Sequence, residues 1–250
     1  MECAQNLNEL KPIRINKLLS EAGICSRKQA DRLVEQGAVQ VNGETAFLGM
    51  KIHYSDSVRV HGRPVERKFE PVYLLYHKPG GITCTHDLSV AGNIVEAVDY
   101  PGRVFAVGRL DKASEGLMLL TNDGEIVNRI LRAENAHQKE YVVTVDKPIT
   151  AEFVQAMQNG VPILDTITRP CEVSRLSDKT FRIVLVQGLN RQIRRMCKAL
   201  GYRVNRLQRQ RIMHLLLDDL PLGRWRFLSQ DEYSILQTQL AESSSLAMAE

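Results

Sequence analysis

The stretch GRLDKASEGLMLLTNDG, Gly108 to Gly124, sets a carboxylate, Asp111, directly after Arg109 and Leu110. Apolar runs flank it: Val104 to Val107 reads as a buried strand and Leu117 to Leu120 as a second. Asp111 then stands at a strand exit, in a linker running from Lys112 to Gly116. A rigid scaffold that presents a loop carboxylate is a common way to build a site. Such a group can act as nucleophile or general base. The simpler reading is a turn aspartate that caps the next segment.

Other residue types offer less chemistry. Five cysteines, Cys3, Cys25, Cys84, Cys171 and Cys197, show no C-x-x-C spacing, and an odd count without a framework reads as reduced thiols. Six histidines, His53, His61, His77, His86, His137 and His214, include no H-E-x-x-H and no pair at i, i+4. No metal site is expected. No glycine-rich phosphate loop of the G-x-x-x-x-G-K-[ST] type is present either.

The net charge of +4 is modest but unevenly spread. Between Val186 and Arg211 stand Arg191, Arg194, Arg195, Lys198, Arg203, Arg206, Arg209 and Arg211, without one Asp or Glu. Such a block reads as a footprint for phosphate, and so for nucleic acid. The competing reading, a solvated helix face, usually interleaves acids.

The elements that must position these groups suggest two domains, as 250 residues would. Residues 1 to 12 are polar and expected to fray. Ile15, Leu18, Leu19 and Ala22 mark one helix that Gly23 stops; Ser26 and Gln29 form a capping box for a second, which Gly37 ends. Val39 and Val41 alternate into Asn42-Gly43, a strong hairpin signal, and Ile52, Val58 and Val60 continue as short strands. Residues 63–71, with Pro64, Pro71 and Glu66-Arg67-Lys68, read as a linker. Beyond it, Val72 to Tyr76 reads as a strand stopped by Lys78-Pro79-Gly80-Gly81. Lys78 itself reads equally as an RNA contact or a turn-capping surface lysine. Asn93 to Asp99 is a short helix, and Pro101-Gly102 turns the chain into the strand at Val104, taken as central. Ile126, Val127, Ile130 and Leu131 give a helix its stripe; Lys139 to Val145 is a strand; Ala151 to Asn159 a helix; Phe181 to Val186 a strand; and a basic helix starts near Asn190. The expected fold class is α+β, with a mixed, largely antiparallel sheet and helices packed outside.

Four segments carry a family resemblance, in order: HKPGG at His77 to Gly81, the GRLD string, KEYVVTV at Lys139 to Val145 and QGLNRQIRRM at Gln187 to Met196. They resemble the signature motifs of the pseudouridine synthases that modify ribosomal RNA. The two N-terminal helices followed by V-x-V-N-G look like the small S-four-type RNA-binding domain. The resemblance implies that domain at 11–62, a linker at 63–71, a catalytic domain at 72–240 and a disordered tail at 241–250. It also implies that Asp111 is the catalytic residue and that Tyr141 stacks on the uracil. By the same resemblance Arg194 pairs with the carboxylate, keeping it ionised and aimed, and Arg109 lies near the flipped base. Arg191 and Arg195 are expected on phosphates. So are Arg14, Lys17, Arg27, Lys28 and Arg32, assigned to the first two helices on positions the apolar stripe leaves free, where they position RNA without reading its sequence.

The family's reaction turns uridine into pseudouridine by moving the uracil from its N1 to its C5 linkage; with no redox change and no phosphate bond used, it implies no cofactor. The RNA base must first leave its stack. Within the family, ILRAENAHQKEYVVTVDKPIT and QGLNRQIRRM look most like the branch called RluF, which acts on large-subunit ribosomal RNA; the sequence ends at Glu250 without the long basic tail that branch often carries. A large-subunit stem-loop is therefore the expected substrate, with a transfer-RNA anticodon arm as a second. The alternatives are a non-catalytic RNA-binding or ribosome-associated protein, or a sister synthase acting on small-subunit RNA. A monomer is expected. No apolar run reaches the roughly 20 residues of a membrane span and no signal h-region opens the chain, so a cytoplasmic location and no membrane partner are expected.

Overall fold

The structure, a computed structural model, describes residues 12–53, 55–66, 71–131 and 137–246. Residues 1–11 of the segment expected to fray, and 247–250 of the expected tail, lie outside them. The chain divides into two compact units, Met1–Pro71 and Val72–Glu250.

The first unit opens with β1 (Ile13–Arg14), α1 (Ile15–Glu21) and α2 (Arg27–Glu35). Ser26 caps α2 through the Gln29 amide and receives the reciprocal Gln29 side-chain contact, so the capping box forms as the spacing demands. Asn16 Nδ2 donates to Asp31 Oδ1 at 2.9 Å and ties the two helices together. Then follow β2 (Val39–Val41), β3 (Glu44–Thr45), β4 (Lys51–Ile52), β5 (Val58–Val60) and β6 (Arg63–Pro64). Asn42 and Gly43 both have positive φ, 52° and 91°, which gives the β2–β3 hairpin a turn whose twist matches its strands. Four strands run in the order β3-β2-β5-β6, and β1 pairs with β4. Ile15, Leu18, Leu19, Ala30 and Val34 bury the helical stripe against Val39, Val41, Ile52 and Val58. The expected linker is shorter at its start: Arg63 and Pro64 pair with β5, and Val65 joins this core.

The second unit contains β7 (Tyr73–Lys78), α3 (Ile94–Val98), β8 (Phe105–Ala106), β9 (Glu115–Thr121), α4 (Gly124–Leu131), β10 (Lys139–Val145) and α5 (Ala151–Asn159). It continues with β11 (Pro162–Ile163), β12 (Thr166–Ile167), β13 (Glu172–Arg175), β14 (Thr180–Leu185), α6 (Gln192–Ala199), β15 (Val204–Ile212), β16 (Leu215–Leu216), β17 (Trp225–Phe227) and α7 (Gln230–Leu246). The main sheet runs β13-β14-β10-β15-β9-β7-β17, with β8 added on β9 and β16 on β15. All its pairings are antiparallel except β15 with β9. The sheet is thus mixed and largely antiparallel, as expected.

The apolar run in β9 is continuous because both faces of this strand are covered. Leu117 and Leu119 pack with Leu75, Ile126, Ile130, Leu236 and Leu240, under α4 and α7. Met118 and Leu120 point the other way, to Leu74, Tyr76, Ile94 and Val98, where α3 lies. A separate core under β10 and β14 collects Val143, Val145, Phe181, Ile183, Phe153 and Met157 with Ile193, Met196 and Cys197 of α6.

Three expectations are corrected. The strand at Val104 to Val107 shrinks to half-buried Phe105–Ala106, paired beside β9 and not central. The central position belongs to β15, hidden in the sequence because its arginines, read as a charge block, mask the alternation. The expected disorder from residue 241 gives way to α7, which continues to Leu246, with Leu240 fully buried upstream. Among the described residues no helix is long and apolar enough to cross a membrane.

Candidate active site

Asp111 lies in the loop between β8 and β9, and three other segments hold that loop. The first is the end of β7. Lys78, with no exposed surface, sends its Nζ to the carbonyl oxygens of Pro79 (2.9 Å), Asp111 (3.4 Å), Lys112 (3.4 Å) and Ser114 (2.7 Å). Gly81 N also donates to Lys112 O at 2.7 Å, and Ser114 N closes the turn onto Asp111 O at 3.0 Å. Burial lowers the pKa of Lys78, the charge of Arg209 adds to this, and the carboxylates of Asp111 and Glu115 oppose it. Lys78 is thus neither an RNA contact nor a surface cap. It is a clamp, and the carbonyl cluster is what an ammonium can satisfy and a neutral side chain cannot. Lys78→Met should cost about 2–4 kcal/mol, because it strands these carbonyls in the interior; urea unfolding of both proteins measures it.

The second support is α6. Arg194 keeps only 13% of its side-chain surface exposed and spends its donors on Val204 O (3.3 Å), Ser114 Oγ (3.1 Å) and Ala113 O (3.5 Å). Its Nε, which has no hydrogen-bond partner, stands 3.8 Å from Asp111 Oδ2. Burial, then the neighbouring Arg191 charge, lower the pKa of Arg194, while Asp111 opposes both. Arg191 Nη1 is 3.7 Å from the same Oδ2, so two guanidinium groups face one carboxylate oxygen. Asp111 itself keeps 31% of its side-chain surface, enough for a substrate to reach it.

The third support is the parallel seam between β9 and β15, where Glu115 faces Gln208 and Gly116 faces Arg209. Arg209, 2% exposed, donates from Nε to Leu117 O at 2.6 Å and from Nη2 to Met118 Sδ. Arg206 binds the Glu115 carboxylate, at 2.9 Å from its Nε. Arg211 and Arg182 share Glu140. The basic block is therefore not one phosphate footprint: of its eight cations, Arg191, Arg194, Arg195, Arg206, Arg209 and Arg211 have partners within the fold.

Tyr141 stands on β10 opposite Arg209, half-buried, and packs against two cores, one of them holding Leu110 and Met118. That places it on the side of the sheet that carries the residue next to Asp111. Arg109 is exposed. Arg195 donates to Asn190 O at 2.9 Å and to Asn190 Oδ1 at 3.1 Å. In the first unit Arg27, Lys28 and Arg32 are exposed on α2. Arg14 is exposed too, but it belongs to β1 and precedes α1, and Lys17 is paired with Glu21 at 3.6 Å.

Sequence reasoning passed over Ser114, set Lys78 at the surface and counted Arg209 among the cations that face phosphate. Lys78 shares its motif with Pro79 and two glycines, but nothing in its spacing tells a buried lysine from a surface one. Burial pushes the Cys171 thiol up to about 11 and the Cys197 thiol up to about 12, so neither of these two carries a reactive signature. Among the described residues no group of His, Cys, Asp and Glu could hold a metal ion.

A family model described as RNA pseudouridylate synthase matches residues 72–199, and an S4 domain model matches residues 13–58. The chain is 52% identical over 235 residues to the dual-specificity RNA pseudouridine synthase RluF of Escherichia coli strain K12, covering 93% of this chain and 81% of that protein. It is 35% identical to the ribosomal large subunit pseudouridine synthase B of Bacillus subtilis, over 90% and 95% of the two chains. To the ribosomal small subunit pseudouridine synthase A of Pasteurella multocida it is 33% identical, over 88% and 97%. A crystal structure of a pseudouridylate synthase superposes with a TM-score of 0.67 at 31% identity, covering 90% of this chain and 99% of that one. The match runs through both units and includes the loop that Lys78, Arg191 and Arg194 surround, so the chain belongs to the RNA pseudouridylate synthase family and is an isomerase that acts on RNA.

Proposed function

We propose that Asp111 is the one carboxylate at the reacting centre, that the target uridine is turned out of its stack to reach it, and that the substrate is a stem-loop of large-subunit ribosomal RNA, with a transfer-RNA anticodon arm as a second target. The observation that carries the reading is the double arginine pairing of a partly open carboxylate on a clamped loop. Hydrolysing a glycosidic bond takes two carboxylates, one of them acting on water. Here the nearest carboxylate along the chain, Glu115, is neutralised by Arg206. One carboxylate suits an isomerisation, in which the bond to N1 breaks, the bond to C5 forms, and the proton leaving C5 balances the one gained at N1. No electrons are exchanged, so no cofactor is required.

Tyr141 offers the flat face on which an extruded uracil rests, and Arg109 is exposed close enough in sequence to fill the space the base leaves. The 52% identical relative is named a dual-specificity RNA enzyme, which favours two targets, and the 35% identical one a large-subunit ribosomal enzyme, which favours the first of them. We propose that this enzyme acts on them in the cytoplasm, as a monomer.

The exposed cations of α2 hold the RNA backbone. Replacing Arg27, Lys28 and Arg32 together by Gln should weaken binding and reduce the slope of log affinity against log salt by about 2 to 3. Titrations at several KCl concentrations measure this, and an unchanged slope removes these residues from the RNA contact. The substrate is tested by deleting the gene and mapping pseudouridines across ribosomal and transfer RNAs. Loss of one large-subunit site and one anticodon-arm site, both restored by the wild-type gene, is expected. Loss confined to small-subunit RNA would reject the proposed targets and leave the reaction intact.

A further inference from the structure

Arg194 and Arg191 face the same oxygen of Asp111 but are held in opposite ways. Arg194 is nearly buried and fastened to Val204, Ala113 and Ser114. Arg191 is half exposed, and among the described residues its guanidinium makes only the ion pair with Asp111, at 3.7 Å. That separation is beyond hydrogen-bond length, and a half-exposed pair of this kind is weak.

The backbone of Arg191 adds an independent observation. Arg191 is the N-cap of α6 with φ 50° and ψ 36°, and its side chain makes no capping bond. A left-handed conformation is strained for a residue with a Cβ and comfortable for glycine. The turn is closed by others: Gln192 N donates to Leu189 O, and Leu189 N donates to Gln192 Oε1. Arginine at this position therefore contributes nothing to the turn that glycine would not. What it supplies is a cation reaching from the end of α6 to Asp111, and strain of this kind gathers where a side chain is needed for function.

We propose that Arg191 is a detachable counter-ion, paired with Asp111 in the free enzyme and passed to a backbone phosphate beside the target uridine when RNA binds. The proposal rests on the reading of Asp111 as the reacting carboxylate. A phosphate diester accepts two parallel hydrogen bonds from a guanidinium, which outcompetes a single 3.7 Å contact to a carboxylate. A phosphate entering the site meets the negative charge of Asp111, and a cation standing between the two removes that repulsion. Once Arg191 has moved, Asp111 is held by Arg194 alone and its Oδ2 is uncovered. Docking of the RNA backbone and exposure of the reacting oxygen then become one event, and a free uridine, lacking the phosphate, leaves the oxygen covered.

The test uses the full chain and a set of hairpin RNAs in which one phosphate at a time, on either side of the target uridine, is replaced by a neutral methylphosphonate. For the wild type, one replacement should weaken binding about 10-fold, the scale of a charge-assisted contact. Arg191→Gln should weaken binding of unmodified RNA by about the same factor, respond no further to that one replacement, and lower the salt slope by about one. Its loss should fall on KM more than on kcat. Arg191→Gly should show the same binding defect with a melting temperature equal to or above that of the wild type, which a merely structural arginine would not allow. If every phosphate replacement costs wild type and Arg191→Gln equally, or if kcat collapses while KM holds, Arg191 stays on Asp111 and the proposal is overturned. Because the phosphate coupling is read from binding, an active Asp111→Asn enzyme would remove the reading of Asp111 without altering that measurement.

Discussion

Asp111→Asn should lower turnover by about 10,000-fold or more, close to 5.5 kcal/mol of barrier, with RNA affinity kept or raised. Asparagine has the size of aspartate, and the contacts that hold this loop run through backbone atoms: Asp111 O still accepts from Ser114 N and Lys78 Nζ. The loop should therefore keep its shape, and the melting temperature should move little. What disappears is the negative charge, and with it the capacity to attack a carbon or to take a proton. Arg191 and Arg194 lose their shared partner, leaving uncompensated positive charge where a phosphate approaches. Binding by filter retention and single-turnover pseudouridine formation on the same hairpin separate the two effects. Turnover within about 100-fold of the wild type would place the essential group elsewhere, since the loss of a catalytic carboxylate costs more than that.

Gly116→Ala should destabilise the second unit by about 4 kcal/mol or more, among the largest effects a single methyl group can have. Gly116 sits at φ 113°, and a Cβ there would fall inside contact distance of the backbone N, C and O of Arg209. Backbone on a neighbouring strand cannot rotate away as a side chain tip can. The strain would open the β9–β15 seam, at which Gly116 faces Arg209, and with it the Arg209 bond to Leu117 O. The melting transition of this unit should drop by roughly 10 °C, given about 2–4 °C per kcal/mol for a unit of this size. Activity should fall even at temperatures where the protein is folded, because the loop bearing Asp111 enters β9 one residue before Gly116. A scan by circular dichroism and an assay at low temperature check the two parts, and an Ala variant that melts with the wild type would mean the two strands are not packed this closely.

Local structure was legible wherever one short-range rule decides it. The Ser26-Gln29 capping box and the Asn42-Gly43 turn both depend on residues within a few positions of each other. So does the placement of Asp111 in the loop that leads into a buried strand, because Leu117 to Leu120 cannot be anything but buried. Charge density pointed to nucleic acid, and the four motifs in order pointed to the family.

The partners of each charge were decided only by the tertiary structure. Counting Lys and Arg between Val186 and Arg211 says how many cations there are, but which of them face RNA depends on where Glu115, Glu140 and the carbonyls of Leu117 and Val204 come to lie. The parallel pairing of β15 with β9 sets this, and it joins residues more than 90 positions apart. The same seam turned a run of arginines into a central strand, with Arg209 inside. Lys78 shows the limit most plainly. Its sequence neighbourhood is a turn, its chemistry is that of a surface residue, and only the folding of the Asp111 loop over it supplies the carbonyl oxygens that make a buried ammonium stable.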